Sequence, residues 1–299
     1  MSKKRTIQKG LILGAEGMLG HVLFRWLANK PGFDMYASVF NERPVINYFS
    51  LELAPRIQYG IDAENVDRLL NLICSIKPDF IVNCIALVKQ SLISRNPLSA
   101  INVNAQLPHR LGLICQRSKT RFIHIGSDII FDGKKGMYKE NDNVNISDFY
   151  GMTKFLGEVC YPYCITLRTS IIGHELTEKT GLVEWFLSQN VKTRGYTKVI
   201  YSGFPTIEFA KILSDYILPN ENLLGIYHVS SEPISKYDLL KLIADRYGKQ
   251  IEIEPSDELV LDRSLDSSVF RSLTGYQPPS WAELVDKMHL DYIKHEKLL

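Results

Sequence analysis

The chain has 299 residues, a formal net charge of +2 at pH 7, and 45% hydrophobic against 23% charged residues. That length supports a large core, and that balance is ordinary for a globular chain rather than a disordered one. It gives no basis for nucleic acid or an anionic membrane as the main partner, and no run of about 18 apolar residues offers a membrane span.

Ser2-Lys3-Lys4-Arg5 reads as a frayed basic end, without the apolar stretch and cleavage pattern of a leader, so the expected compartment is the cytoplasm. Leu11 to Leu13 reads as a strand that ends in Gly14-Ala15-Glu16-Gly17-Met18-Leu19-Gly20. An amphipathic helix follows, with Leu19, Val22, Leu23, Trp26 and Leu27 on one face. Strand, glycine loop and helix form the context in which a backbone can approach a pyrophosphate at a helix N-terminus. The spacing is G-x-x-G-x-x-G, without the Gly-Lys-Ser/Thr ending of an NTPase loop. Met35 to Phe40 reads as the second strand. No acid stands directly at its end, and Arg43 lies close enough in sequence to meet a 2'-phosphate, which favours NADP(H) and leaves NAD(H) second.

Ile57 to Ile61 reads as a short strand with Asp62 at its tip, and Val66 to Ile76 as a helix. Phe80 to Ile85 is nearly continuous apolar sequence, as in a strand covered on both faces. Pro97 to Ser118 reads as a long helix carrying Asn102 and Asn104, and Arg121 to Ser127 as the next buried strand. Strands alternating with helices of this length predict an α/β fold built on a Rossmann-type, doubly wound parallel sheet. Its sites lie beyond the carboxyl ends of the strands, which places Gly14, Ala86 and Ser127 along one edge.

Tyr150 and Lys154 are four residues apart on the next helix, Tyr150 to Tyr161, and share its face. A nearby cation lowers the pKa of a phenol and brings it towards acid/base chemistry, so Lys154 is expected to lower that of Tyr150. Strands at Cys164–Ser170, Lys198–Tyr201 and Gly225–Ser230 follow, with helices at Gly181–Gln189 and from Thr206 to Leu218. The remainder is more charged, with a Pro278-Pro279 joint and helices near Ser235–Tyr247 and Trp281–His295. Residues 1–170 with about 206–231 are read as a dinucleotide-binding domain, and about 171–205 with 232–299 as a smaller interleaved substrate-binding domain. Five cysteines (Cys74, Cys84, Cys115, Cys160 and Cys164) are an odd set without Cys-x-x-Cys, read as buried free thiols. His174-Glu175 lacks a following histidine at metal spacing, so no metal site is assigned. Trp185 reads as a core residue of its helix.

Together these stretches resemble the extended short-chain dehydrogenase/reductases, and within them the dTDP-4-dehydrorhamnose reductase branch of NAD(P)-dependent nucleotide-sugar reductases. The resemblance rests on Ile12 to Gly20, Pro78 to Ala86, Ile101 to Ala105, Gly126-Ser127-Asp128-Ile129-Ile130-Phe131-Asp132-Gly133, Tyr138-x-Glu140-x-Asp142, Tyr150 to Glu158, Leu167-Arg168-Thr169, Gly203-Phe204-Pro205-Thr206 and Leu265-Asp266. It implies that Gly14, Gly17, Met18, Leu19 and Gly20 hold the cofactor pyrophosphate, that Asp62 contacts the adenine, and that Ala86 lies along the dinucleotide. It implies Tyr150 as proton donor to a 4-keto oxygen, Ser127 as its hydrogen-bonding partner, Lys154 on the nicotinamide ribose, and Asn104 in a proton relay through water. The implied substrate is a nucleotide-activated 6-deoxy sugar, the implied role surface polysaccharide synthesis, and a homodimer is compatible with it.

Ile129 replaces a tyrosine common in the branch, and Ile146 a proline, so the sugar pocket is expected to differ. Asp128 is read as a substrate contact or as a partner of nearby backbone amides. Thr206, with Phe204, either lines the sugar pocket or turns the chain at Pro205. Arg263 either reaches the substrate diphosphate or is solvated, and Arg168 is an ion-pair or a site residue. Two rival readings use the same scaffold: a catalytically silent nucleotide-binding regulatory subunit, and a nucleotide-sugar epimerase or dehydratase.

Overall fold

The computed structural model describes residues 7–42, 49–87, 96–146, 148–177 and 179–295. Its centre is a seven-stranded sheet of β1 (Gln8–Leu13), β2 (Phe33–Ser38), β3 (Ile57–Gln58), β4 (Phe80–Asn83), β5 (Arg121–Ile125), β6 (Cys164–Arg168) and β7 (Gly225–His228). All neighbours are parallel, in the order β7-β6-β5-β4-β1-β2-β3. The chain therefore winds outwards in both directions from the β1/β4 pair. Leu13 faces Asn83 in register there, so the loops after β1 and β4 leave the sheet side by side. A crevice at such a reversal is where open α/β sheets bind ligands.

Alternation along each strand divides the core. Ile12, Val82, Ile123 and Ile165 join one apolar cluster; Leu11, Leu13, Ile81 and Phe122 join the other. The first face takes α1 (Met18–Ala28), and the second takes α2 (Val66–Ile76) and α3 (Leu107–Ser118). Local chemistry sets several ends. The Asn65 side chain accepts from the Arg68 N–H at 3.1 Å to start α2, and Lys77 leaves it in a left-handed conformation. Asp148 accepts from the Gly151 N–H at 2.8 Å to start α4 (Phe149–Leu156).

Two expected helices differ. The one beginning at Pro97 is not uniform: Ile101–Gln106 runs in a π register before α3, and Asn102 and Asn104 sit within it. The one carrying Tyr150 stops at Leu156 rather than Tyr161, because Gly157 packs on the π segment and Glu158 turns to an ion pair with Arg168. The second strand begins and ends about two residues earlier than its apolar pattern implied.

After β6 come α5 (Leu182–Ser188), α6 (Thr206–Ile212), α7 (Lys236–Arg246), α8 (Ser268–Thr274) and α9 (Trp281–His295). Between them, Lys192–Tyr196 pairs with Glu252–Ser256, and Val199–Tyr201 lies between Ile234–Ser235 and Leu261–Asp262. Leu239, Trp281 and Met288 from this region share one cluster with Ile12 and Leu23. All five cysteines are free, but only Cys115 and Cys164 are buried; Cys74 and Cys160 are exposed. Trp185 is 39% exposed, because Val183 and Phe186 take the buried face of α5. Among the described residues, no helix is long and apolar enough to cross a membrane, and no group of three or more potential ligands gathers at a metal site.

Candidate active site

The glycine loop is shaped by contacts that a side chain would block. Gly14 has φ +79°, and a Cβ there would stand 2.9 Å from Ile85. At Gly20 a Cβ would stand 2.1 Å from the Gly14 carbonyl oxygen, so only glycine lets α1 begin this close to the loop. Gly17 meets nothing nearer than 3.5 Å and starts α1 without a side-chain cap, and the first turn of α1 holds no acid. An uncapped helix start of this kind presents its first N–H groups and the positive end of its dipole to an anion. Leu19 is buried, and the Met18 side chain reaches across to Gly181. A glycine cradle that added Cβ atoms would fill, at an uncapped helix start, fits a dinucleotide pyrophosphate.

Further along the edge, Asp62 accepts from the Glu64 N–H at 2.9 Å, and Ala86 lies half-buried in the loop after β4. Arg43 lies outside the described residues. The end of β2 is not without an acid after all: Glu16 arrives there from the glycine loop and accepts from the Phe40 N–H at 2.9 Å.

Beyond β5, Ser127 caps a short 3-10 turn, accepting from the Ile129 N–H at 3.3 Å while its hydroxyl donates to Asp128 at 3.4 Å. Helix α4 presses on this turn at Gly151, where a Cβ would stand 3.0 Å from the Ile129 carbonyl oxygen. That approach sets Tyr150 beside Asp128. One turn on, Lys154 is 4% exposed and donates to the Ile125 carbonyl at 2.8 Å, two residues before Ser127. The structure thus gathers Ser127, Tyr150 and Lys154 at one strand end.

The electrostatics differ from expectation. Tyr150 keeps part of its surface open, yet burial, with the charges of Asp128 and Asp148, pushes its phenol up to about 12. Lys154 does not bring it below its ordinary value: burial brings the lysine itself down to about 8 against the opposing pull of Glu158 and Cys84. Tyr150 holds its proton firmly at neutral pH, the state needed in a group that donates one.

Asn104 makes three side-chain hydrogen bonds. Its carbonyl accepts from the Leu87 N–H at 2.8 Å, and its amide donates to the Leu87 carbonyl at 2.9 Å and to Thr153 at 3.1 Å. It braces the loop after β4 against α4.

On the far side of Ser127, burial pushes Asp128 up to about 6, with Arg263, its own amide, Ser127 and Lys236 opposing. Burial lowers Lys236, which Asp128 raises and Arg263 lowers. Arg263 also donates to the Phe131 carbonyl at 2.8 Å. Lys236 escaped the sequence reading, since it is an ordinary lysine at the start of α7, more than a hundred positions away, and no motif marks it. Thr206 is not part of this group. It is 3% exposed, packs over Gly173 and borders a small cavity with His21 and His174, while Phe204 is fully buried, so these two turn the chain at Pro205. Arg168 is an ion-pair residue, donating to both oxygens of Glu158 at 2.7 and 2.8 Å. Ile129 packs with Val144 and Ile146 on a small apolar cluster. A separate cavity of about 280 Å³ beside Trp26, Lys30 and Lys294 contains none of the residues read as catalytic.

The model of the RmlD substrate binding domain matches residues 8–292. The chain belongs to this family. It is 28% identical over 296 residues to a dTDP-4-dehydrorhamnose reductase of Aggregatibacter actinomycetemcomitans, covering 91% of this chain and 95% of that one. It is 26% identical over 253 residues to methionine adenosyltransferase 2 subunit beta of Danio rerio, covering 80% and 73%. The fold is that of a solved dTDP-4-dehydrorhamnose reductase from Bacillus anthracis in complex with NADP, with TM-score 0.77, 20% identity, and coverage of 95% of this chain and 98% of that one.

Proposed function

We propose that this member of the RmlD family is an NAD(P)H-dependent reductase of the 4-keto group of a nucleotide-activated 6-deoxy sugar. The observation that carries the reading is the protonated Tyr150 packed beside the Ser127 turn, with Lys154 anchored to the same strand end. The relative from Aggregatibacter and the family match support it. Gly14, Gly17, Met18, Leu19 and Gly20 would hold the pyrophosphate, Asp62 and Ala86 would flank the dinucleotide, and Lys154 would hold the nicotinamide ribose. NADP(H) is the favoured cofactor, supported by Arg43 and by the NADP complex of the Bacillus relative, with NAD(H) second. When bound, the reduced nicotinamide supplies a hydride to the keto carbon. Tyr150 gives its proton to the alkoxide that develops, and Ser127 hydrogen-bonds that oxygen, worth most where charge appears in the transition state. Asn104 keeps α4 and the loop after β4 in register, and its part in a water relay stays a proposal. Arg263, with Lys236, supplies positive charge for the substrate diphosphate, and Asp128 contacts the sugar. The interleaved two-domain division, a homodimer, a cytoplasmic site and a role in surface polysaccharide synthesis belong to the same proposal.

A second reading, a nucleotide-binding regulatory subunit, is favoured by the likeness to methionine adenosyltransferase 2 subunit beta. The test is a panel of nucleotide-linked 4-keto-6-deoxy sugars mixed with NADPH and the purified protein. The expected result is loss of reduced-nicotinamide absorbance with one class, reduced about a hundredfold or more by Tyr150→Phe. Turnover that Tyr150→Phe leaves unchanged would sink the mechanism. Tight cofactor binding without consumption across the panel would favour the regulatory reading, and sugar conversion without net NADPH use an epimerase or dehydratase.

A further inference from the structure

Just past the carboxyl end of β2, the backbone N–H groups of Phe40 and Asn41 are both taken by Glu16. Phe40 donates to Oε1 at 2.9 Å, Asn41 donates to Oε2 at 3.4 Å, and the Asn41 side-chain amide adds a third bond to Oε2 at 3.1 Å. The backbone on both sides of Glu16 is tied. Ala15 donates to the Ser38 carbonyl at 2.8 Å, and Gly17 donates to the Gly14 carbonyl at 3.2 Å. The side chain is thus directed from the glycine loop onto the β2 end, and the carboxylate sits between the pyrophosphate cradle and the next strand.

In a sheet wound this way, that point faces the adenosine ribose. An acid there accepts the 2'-hydroxyl of NAD, whereas a 2'-phosphate calls for a cation and for free N–H donors. Glu16 supplies the acid that the second strand itself lacks.

We propose that Glu16 sets the balance between the two nicotinamide cofactors. In its observed position it accepts the ribose hydroxyls of NADH. A 2'-phosphate would bring like charge against the carboxylate and compete for the Phe40 and Asn41 amides, so NADPH binds only as Glu16 swings aside. Glu16 therefore narrows the preference for NADPH. The inference rests on the proposed dinucleotide site but not on the identity of the sugar.

The test is isothermal titration calorimetry of NADH and NADPH, separately, with the 299-residue chain and its Glu16→Gln and Glu16→Ala variants. Glu16→Gln keeps the shape and one acceptor but removes the charge. It should move the ratio of the two dissociation constants towards NADPH by about tenfold. Glu16→Ala should free both amides and also weaken NADH. The glutamine variant is the safeguard against misfolding, checked by an unchanged thermal melt. If both cofactors bind and the ratio stays within twofold of the starting protein in both variants, Glu16 has no such role, while the dinucleotide site stands. If neither cofactor binds any of the three proteins, the dinucleotide reading itself falls, and this inference with it.

Discussion

Burial moves the two ionisable groups of the Tyr150–Lys154 pair in opposite directions, and each shift has a measurable consequence. Lys154 titrates at about 8 in the fold, against 10.5 as its ordinary value. Below pH 8 it is charged in both folded and unfolded chains, and the folded state bears the desolvation of a buried ammonium. Between pH 8 and about 10.5 the unfolded chain binds more protons, so this contribution to stability rises with pH. Lys154→Met is therefore expected to raise stability at pH 7 by about 2 kcal/mol, once the lost bond to the Ile125 carbonyl is allowed for. The gain should shrink as pH rises through 8 towards 10.5, while reductase activity is lost at every pH. Urea unfolding at pH 7 and pH 10 checks the sign. A loss of stability at neutral pH would mean that the ammonium is better solvated than its 4% exposure indicates. The i, i+4 spacing of the pair was legible in the sequence, but the height of the Tyr150 pKa was not. It depends first on burial of the phenol and then on Asp128 and Asp148, all of which follow from how the Ser127 turn meets α4.

At the scale of elements, the site depends on how closely helices approach their neighbours, and glycines decide that. Gly157 ends α4 with ordinary right-handed backbone, so alanine would be accepted there by conformation alone. A Cβ at that position, however, would stand 1.9 Å from the carbonyl oxygen of Asn104 in the π segment. Gly157→Ala is expected to push α4 away from that segment and cost about 2 kcal/mol or more. Gly17→Ala, whose nearest neighbour is 3.5 Å away, should change stability by less than about 0.5 kcal/mol. Thermal unfolding of the two variants side by side tests the contrast, and equal melting temperatures would refute it. In the sequence, Gly157 looks like part of a helix that runs to Tyr161. Nothing local reveals the opposing carbonyl, because it comes from a segment 53 positions earlier, in a register that apolar periodicity does not report.

Across the whole molecule, Arg168 connects regions far apart in the chain. It pairs with Glu158, both side chains 5% exposed, and donates to the Glu140 carbonyl at 3.3 Å and to His228 Nε2 at 3.2 Å. His228 in turn donates from Nδ1 to the Tyr138 carbonyl at 2.9 Å, and burial together with Arg168 holds it down to about 4, a neutral ring at pH 7. The end of β6, the end of β7 and the 138–140 segment are thereby locked around one guanidinium. Arg168→Met would leave Glu158 buried without its partner, and a loss of about 3–5 kcal/mol is expected. A second change, Glu158→Leu, should recover much of it by removing the stranded charge. Denaturant unfolding of the single and double variants reads both effects. A single variant as stable as the starting protein would show that water already reaches Glu158.

What the sequence determined by itself was the local and repetitive part. Strands such as Phe80–Asn83, covered on both faces, announce themselves as apolar runs, and α1 and α2 by their spacing and end residues. The glycine loop and the Tyr150–Lys154 pair are set within a few residues of chain, so the winding of the sheet and the position of its functional edge could be read. The tertiary structure alone decided which distant side chains share that edge. Glu16 reaches the end of β2, Lys236 stands near Asp128, Thr206 withdraws into packing, and burial, with Asp128 and Asp148, raises Tyr150. Charge, desolvation and contact act through space over a few ångströms, and separation along the chain does not measure that distance.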